Sequence, residues 1–443
     1  MRRLFKILFI PLSLILLFTR CDKIRPEDPI EISDKAFINA LIDEGVDTNG
    51  DGLISYAEAE MIEVLNVTFT GISDMKGIEF FVNLDTLYCD QNDLIQLDVS
   101  KNIALMQLDC GSNELTNLDV SKNTALQFLA CGYNQLTHLD VSNNLALESM
   151  GCSLNDLTHL DILNHTMLQH LACSSNELTN LDVSNNANLE TLYCGGNQLT
   201  NLDISNNTDL VKLLCEYNQL TSLDISNNAV LTLLQCPVNQ LTSLDVSNNI
   251  ALTDLNCHTN SLTSLDVSNN EVLTRLRCDE NQIFSLDLSN SPALVDLVCD
   301  ANQLTSLDVS NSPALKYLYC DKNQIAILDI SNNFNLYDFS CAENQLTSLG
   351  ISNYTFLHWV LCEGNQLTDI DVSKSTQLNS LYCGGNLFSK LDVSNNIELK
   401  GLHIDEMTTL HEVCVWTMPF PPEDLEVDTT GSPNVYFTTE CSE

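Results

Sequence analysis

Between Asp47 and Glu58 the chain reads Asp47-Thr48-Asn49-Gly50-Asp51-Gly52-Leu53-Ile54-Ser55-Tyr56-Ala57-Glu58. Oxygen donors recur at every second position: the side chains of Asp47, Asn49 and Asp51, the carbonyl of Leu53 and the hydroxyl of Ser55. Glu58 closes the set with a carboxylate that can bind through both oxygens. A hard cation such as calcium takes about six to eight oxygen ligands, and this spacing offers them from one short loop. Gly52 permits the sharp turn that brings the donors round. The competing reading is an Asx-rich turn that holds no metal.

The spacing resembles the EF-hand calcium loop at each diagnostic position, from Asp47 in its first place to Glu58 in its twelfth. The resemblance implies a helix on either side: Ser33 to Val46, capped by Ser33, and Ala57 to Leu65. One such loop does not make a paired calcium sensor. Extracellular modules of this kind bind at about 10⁻⁴ to 10⁻³ M. The expected role is structural, a calcium-stiffened cap.

Other candidate chemistry is sparse. Eighteen cysteines are present, and fifteen of them, Cys89 to Cys383, lie 21 residues apart. The count in that column is odd. Stacked neighbours would sit about 4.8 Å apart at Cβ, beyond the disulfide mean of about 3.8 Å. Inert core thiols are expected there, because free cysteine packs as a small hydrophobe. Cys21, Cys414 and Cys441 remain. The last two fall in a segment that breaks the repeat and are expected to form a bridge. Histidines are scattered, serines have no paired base, and no catalytic constellation is found. A column of outward aspartates, Asp98, Asp119, Asp140 and their equivalents, is expected to be satisfied by local hydrogen bonds, with cation screening beside it.

These residues need a scaffold, and the repeat supplies it. The phrase Leu108-Asp109-Cys110-Gly111-Ser112-Asn113-Glu114-Leu115-Thr116-Asn117-Leu118-Asp119-Val120-Ser121 recurs every 21 residues, in fifteen copies without insertion or deletion. A fixed period of this length marks a solenoid. Leu-x-Cys and Leu-x-Val alternate apolar and polar residues, which predicts two short parallel strands per turn. Turns rich in Asn, Ser and Gly join them. An Asn occupies position 113 and all its equivalents from Asn92 to Asn386, where a stacked column can satisfy turn backbone groups. The run LxxLxCxxNxL resembles the leucine-rich repeat, in its nested bacterial 21-residue form. That resemblance implies a mainly β solenoid with a small helical cap before it and a β cap after it.

Arg2, Arg3 and Lys6 precede an apolar run, Ile7 to Phe18, that is too short for a comfortable membrane span. It ends at Cys21. The pattern resembles a bacterial lipoprotein signal, in which Cys21 would carry the lipid, although Arg20 departs from the small residue such signals prefer. Plain secretion and an uncleaved anchor are the alternatives. The expected segments are 1–21 signal, 22–33 tether, 34–66 calcium-binding cap, 67–400 solenoid and 401–443 C-terminal cap.

The formal net charge is −42, and the 18 Lys and Arg residues form no patch. That balance excludes nucleic acid and any membrane contact other than a lipid anchor. Outward positions of the Leu-x-Cys strands vary from turn to turn. Tyr317, Tyr319, Trp359 and Tyr382 fall within four consecutive turns and form the best candidate ligand patch, since aromatic residues are common binding anchors. The expected protein is a monomeric, non-enzymatic surface or secreted recognition module for a protein or glycan. The alternative is a stalk with no dedicated ligand.

Overall fold

Residues 25–441 are described, in a computed structural model. The expected signal segment 1–21, with Cys21, lies outside them. Each Leu-x-Cys run forms a three-residue strand with its central residue buried, as in Gln107–Asp109 around Leu108. Eighteen such strands, from Val64–Asn66 to Glu426–Asp428, make one parallel sheet along the rod. Leu108 pairs with Leu129 and Leu129 with Met150, so the register advances one repeat at a time without slip.

The second run keeps the alternation: Leu118 and Val120 are buried and Asp119 is exposed. It closes into ladders at some turns only. Ser264–Asp266 pairs with Ser285–Asp287, and Leu307–Asp308 with Leu328–Asp329. Near the C-terminus Lys390–Asp392, Glu412–Cys414 and Tyr436–Thr438 form a third group. At the aspartate of this run the side chain competes for the next backbone donor. Asp98, Asp119 and Asp140 each accept the N–H of the serine two residues on, at 2.9 Å. The Ser100 hydroxyl and N–H hold Asp98 below the usual carboxylate range.

Two asparagine columns bind turn to turn. Asn113 donates to the carbonyls of Cys89, one turn back, and of Cys110 and Gly111 in its own turn, all at 3.1 Å. Its Oδ1 accepts the Leu94 N–H at 3.0 Å. The second column, Asn102, Asn123, Asn144 and equivalents, is fully buried. Asn123 donates to Val99 and Asn102 of the preceding turn. The residue before each Asn of the first column turns left-handed whatever its type: φ is 51° at Ser112, 56° at Leu154 and 53° at Val238. Such a conformation costs an L-residue about 1–2 kcal/mol. It persists because the tight turn delivers the Asn to its three carbonyls. All fifteen column cysteines are free and buried, and burial pushes the Cys110 thiol well above the ordinary range.

The N-terminal segment differs from expectation in three ways. Residues 25–33 are packed rather than a free tether. Pro29 bridges Ser55, Ile30 donates to Ile54 at 2.7 Å, and the Ile30 side chain is buried. The first helix is Lys35–Asp43 and its cap is Asp34, not Ser33, because Asp34 Oδ1 accepts from Ala36 and Phe37. Asp34 Oδ2 also takes the N–H groups of Ser73 and Asp74, which ties the helix to the solenoid. The exiting helix is a single turn, Tyr56–Ala59. Val64–Asn66 leaves the helical path because it pairs with Thr86–Tyr88 as the first strand of the sheet.

At the other end the main sheet runs past residue 400, through Gly401–His403 to Glu426–Asp428. Trp416, Phe420 and Phe437 stack over the last turn, with ring centroids 5.6 and 4.7 Å apart in sequence. Cys414 and Cys441 are joined by a disulfide with Cα atoms 5.5 Å apart.

Asn218 tests the staple. Its amide donates to Cys194 and Cys215 carbonyls and its Oδ1 accepts the Leu199 N–H. Asn218→Ala should leave the Leu199 N–H unpaired and take one of two donors from the Cys194 and Cys215 carbonyls, which keep Asn197 and Asn239, at a cost of about 2 kcal/mol, read as a lower urea midpoint.

Candidate functional site

The calcium-type loop is exposed from Thr48 to Leu53, and Gly50 and Gly52 adopt φ of 74° and 78°. Its side chains are drawn onto its own backbone. Asp47 accepts from Gly50 at 2.8 Å and Gly52 at 2.9 Å, Asn49 from Asp51 at 2.8 Å, and Asp51 from Leu53 at 2.9 Å. Glu58 is buried. Its Oε1 accepts from the Thr48 N–H and hydroxyl, and its Oε2 from those of Ser55. Burial alone would raise its pKa. The hydrogen bonds from Ser55 and Thr48 outweigh that and hold it at about 2. The donor types suit calcium, and Asp47, Asn49 and Asp51 remain accessible. The three loop carboxylates do not converge within 4.8 Å. Two other groups among the described residues do: Asp392 with Cys414 and Cys441, and Glu363 with His403 and Asp405. In the first the sulfurs are already spent on the disulfide.

The open face of the main sheet carries the aromatic residues. Strand register places Tyr317, Asp338, Trp359 and Ser380 in one row, and Tyr319, Ser340, Leu361 and Tyr382 in the next. The four aromatic residues therefore lie on three of four adjacent strands, each half-buried, with Asp338–Ser340 between the Tyr317–Tyr319 strand and that of Trp359. Trp359 and Tyr382 meet edge to face at 6.3 Å. Residues with no part in the predicted patch complete it. Tyr337 and His358 stack in parallel, with centroids 4.9 Å apart, and Tyr337 meets Tyr317 at 6.4 Å. Their spacing of 21 residues, one turn, was the available signal. Asp338 lies in the middle. Burial raises its pKa, against the pull of His358 and a Tyr319 hydrogen bond, and its Oδ1, 4.0 Å from His358 Nδ1, accepts no hydrogen bond.

A row of carboxylates flanks this patch, each one residue after a column cysteine and interrupted once by Ala342: Asp279, Asp300, Asp321 and Glu363. All four have raised pKa values, burial being the first cause in each case. Upstream, Arg275 pairs with Asp254 at 2.9 Å and with Asp296 at 3.6 Å, which neutralises that neighbourhood. The face thus changes along the rod from arginine-paired charge to aromatic rings beside carboxylates whose burial outweighs their cationic neighbours.

An extended parallel sheet of leucine-rich turns, with a variable open face and stapled edges, defines a leucine-rich-repeat solenoid. The functional domain of InlJ from Listeria monocytogenes, which includes a cysteine ladder, is 32% identical, with 86% of this chain and 83% of that one covered at a TM-score of 0.71. The chain belongs to that bacterial leucine-rich-repeat family. An LRR protein of Leptospira interrogans is 25% identical over 75% of this chain and 93% of its own, at a TM-score of 0.67. The plant peptide hormone receptor RGFR1 in complex with RGF2, 19% identical, covers 82% of this chain and 69% of its own at 0.67; that likeness shows the fold alone. No protein-family model and no curated protein sequence matches the chain.

Asp300 gives the acidic row a measurable signature. Burial first, then the charge of Asp321, raises its pKa to about 7, although its Oδ1 accepts the Asp321 N–H at 2.7 Å. The folded value lies above the unfolded one, so the folded state holds a proton the unfolded chain has released. The penalty is absent below about pH 4, grows through the interval and is complete above about pH 7. Asp300→Asn should therefore raise the melting temperature at pH 8 by about 2 °C and leave it unchanged at pH 4.

Proposed function

We propose that the chain is an exported, non-catalytic recognition module that binds a protein or glycan partner on the open sheet face. The observation that carries this reading is the aromatic group spread over four adjacent strands, set beside half-buried carboxylates whose pKa values burial raises. Rings offer apolar faces to sugar C–H groups or to cationic side chains, and Asp338 offers an acceptor to hydroxyl or ammonium donors. The stapled turns hold these groups rigid, so little ordering cost attends binding. The excess of acid directs the choice of partner toward basic or hydroxyl-rich surfaces. A monomer anchored through lipid on Cys21 is the display we infer from the signal. Among the described residues no helix is long and apolar enough to cross a membrane.

Protein and glycan arrays probed with the mature chain, with and without calcium, test this. Trp359→Ala and Tyr382→Ala should abolish the array signal at a stability cost of about 1 kcal/mol or less, and substitutions at Asp109 and Ala130 should not. A parent that binds nothing on either array, in either condition, favours the stalk reading.

We also propose calcium as a structural ion in the loop, held by Asp47, Asn49, Asp51, the Leu53 carbonyl, Ser55 and Glu58. The matching donor set and the two left-handed glycines support it. Glu58 would exchange its hydrogen bonds to Thr48 and Ser55 for the ion. Calorimetry with Glu58→Gln separates its two roles. Loss of calcium binding, with stability changed mainly when calcium is present, supports ligation. Equal destabilisation with and without calcium, and unchanged titration, assigns Glu58 to the hydrogen bonds alone.

A further inference from the structure

Near the C-terminal end of the sheet face, three side chains from two turns converge. Glu363 follows the strand Trp359–Leu361, and His403 and Asp405 belong to the turn of Gly401–His403, two strands further on. In the intervening turn the equivalent residue is Gly384. Strands two apart are separated by about 9.6 Å, too far for two carboxylates to meet over an ordinary residue. Gly384 removes the obstacle. A Cβ there would lie 2.3 Å from Asp405 Oδ1 and 2.8 Å from its Cγ, so Asp405 occupies the space a side chain would fill.

The result is one ligating atom each from Glu363, His403 and Asp405, all within 4.8 Å of one another. Asp405 Oδ1 is buried and has no hydrogen-bond partner. The imidazole is held against Tyr382, with centroids 4.0 Å apart. Burial, then the charge of Asp405, raises the Glu363 pKa, while His403 lowers it. Two carboxylates are pressed together beside one imidazole, with an oxygen of Asp405 left unsatisfied.

We propose that Glu363, His403 and Asp405 form a binding site for a divalent transition-metal cation of the zinc class, which clamps two turns across Gly384. One imidazole nitrogen and two carboxylate oxygens are ligands that zinc accepts, and its tetrahedral preference leaves a fourth place for water on the open face. Calcium is disfavoured, because it takes oxygen ligands and about six to eight of them. A glycine notch alone does not make the site. Glu216 folds over Gly195 in the same manner, where a Cβ would lie 2.5 Å from its Cδ, and no imidazole joins it.

Zinc titration of the full chain by calorimetry, with calcium saturating so that the N-terminal loop is occupied, tests the assignment. The parent should bind one zinc ion more tightly than any other, with micromolar affinity, and its melting temperature should rise on binding. Loss of a mere supporting residue weakens metal sites by about 10–100-fold, so His403→Gln and Glu363→Gln should each weaken this one by at least tenfold. Gly384→Ala should do the same by displacing Asp405, and Glu216→Gln should change nothing. Cobalt substituted for zinc should give the strong visible absorption of a four-coordinate ion, lost in His403→Gln. Circular dichroism confirms folding, and if one variant does not fold the other decides. Zinc affinity unchanged in a folded His403→Gln or Glu363→Gln, or no binding by the parent below millimolar zinc, overturns the proposal.

Discussion

Every turn of this rod rests on an amide side chain that does the work of a missing strand partner. A three-residue strand cannot pair all the backbone groups of a 21-residue turn, and a solenoid has no central core in which to hide the rest. The asparagine of each turn reaches back to the cysteine carbonyl of the previous one and forward to the carbonyls of its own. Its oxygen takes the next free N–H. An amide is the side chain suited to this, because it has two donors and an acceptor in one rigid plane. The left-handed residue before each asparagine follows from that need. Its backbone strain is the cost of aiming the amide, and it recurs at Ser112, Leu154 and Val238 regardless of side chain.

The cysteine and aspartate columns are consequences of the same register. Any residue at a given place in the repeat meets its own kind in the next turn. For thiols the outcome is benign: burial keeps them neutral, and a neutral thiol packs like a methyl-sized group. For aspartate it would be repulsive, and the chain handles it in two ways. On the second run each carboxylate is held by the N–H two residues on and stays ionised. On the open face, beside the aromatic rings, burial outweighs the one such bond that Asp300 accepts, and its pKa is pushed up to about 7. Charge left unsettled on one face alone is what separates a recognition surface from a scaffold.

Much of this was legible in the sequence because the repeat has no insertions, so each inward or outward assignment was made fifteen times over. Where the period lapses, local signals misled. Residues 22–33 read as a tether, but in the described part, 25–33, three backbone bonds to residues 54–57 and one buried isoleucine are enough to dock it. Asp34 outcompeted Ser33 as cap because its second oxygen also holds Ser73 and Asp74, a contact 40 residues away that no local rule contains. The exiting helix stopped early because strand pairing with Thr86–Tyr88 claimed its residues. On the ligand face, Tyr337 and His358 escaped notice because they precede the strand proper, yet they stand one period apart. Glu363 and Asp405 were hidden by the glycine between them, which breaks the column on paper and joins it in space.

Strict register also makes length a separable property. Outside the notch at Gly384 a turn packs chiefly on the turns before and after it, and neighbouring turns are nearly interchangeable in sequence. Recombination between two repeats would therefore delete or duplicate whole turns and reseal the amide staples without a mismatched edge. The reach of the molecule can change in steps of about 4.8 Å while both ends stay as they are. The aromatic face and the N-terminal loop would then move apart or together like marks on a ruler. A lineage of such proteins could vary how far a binding surface stands from its N-terminal cap without altering a single contact of that surface.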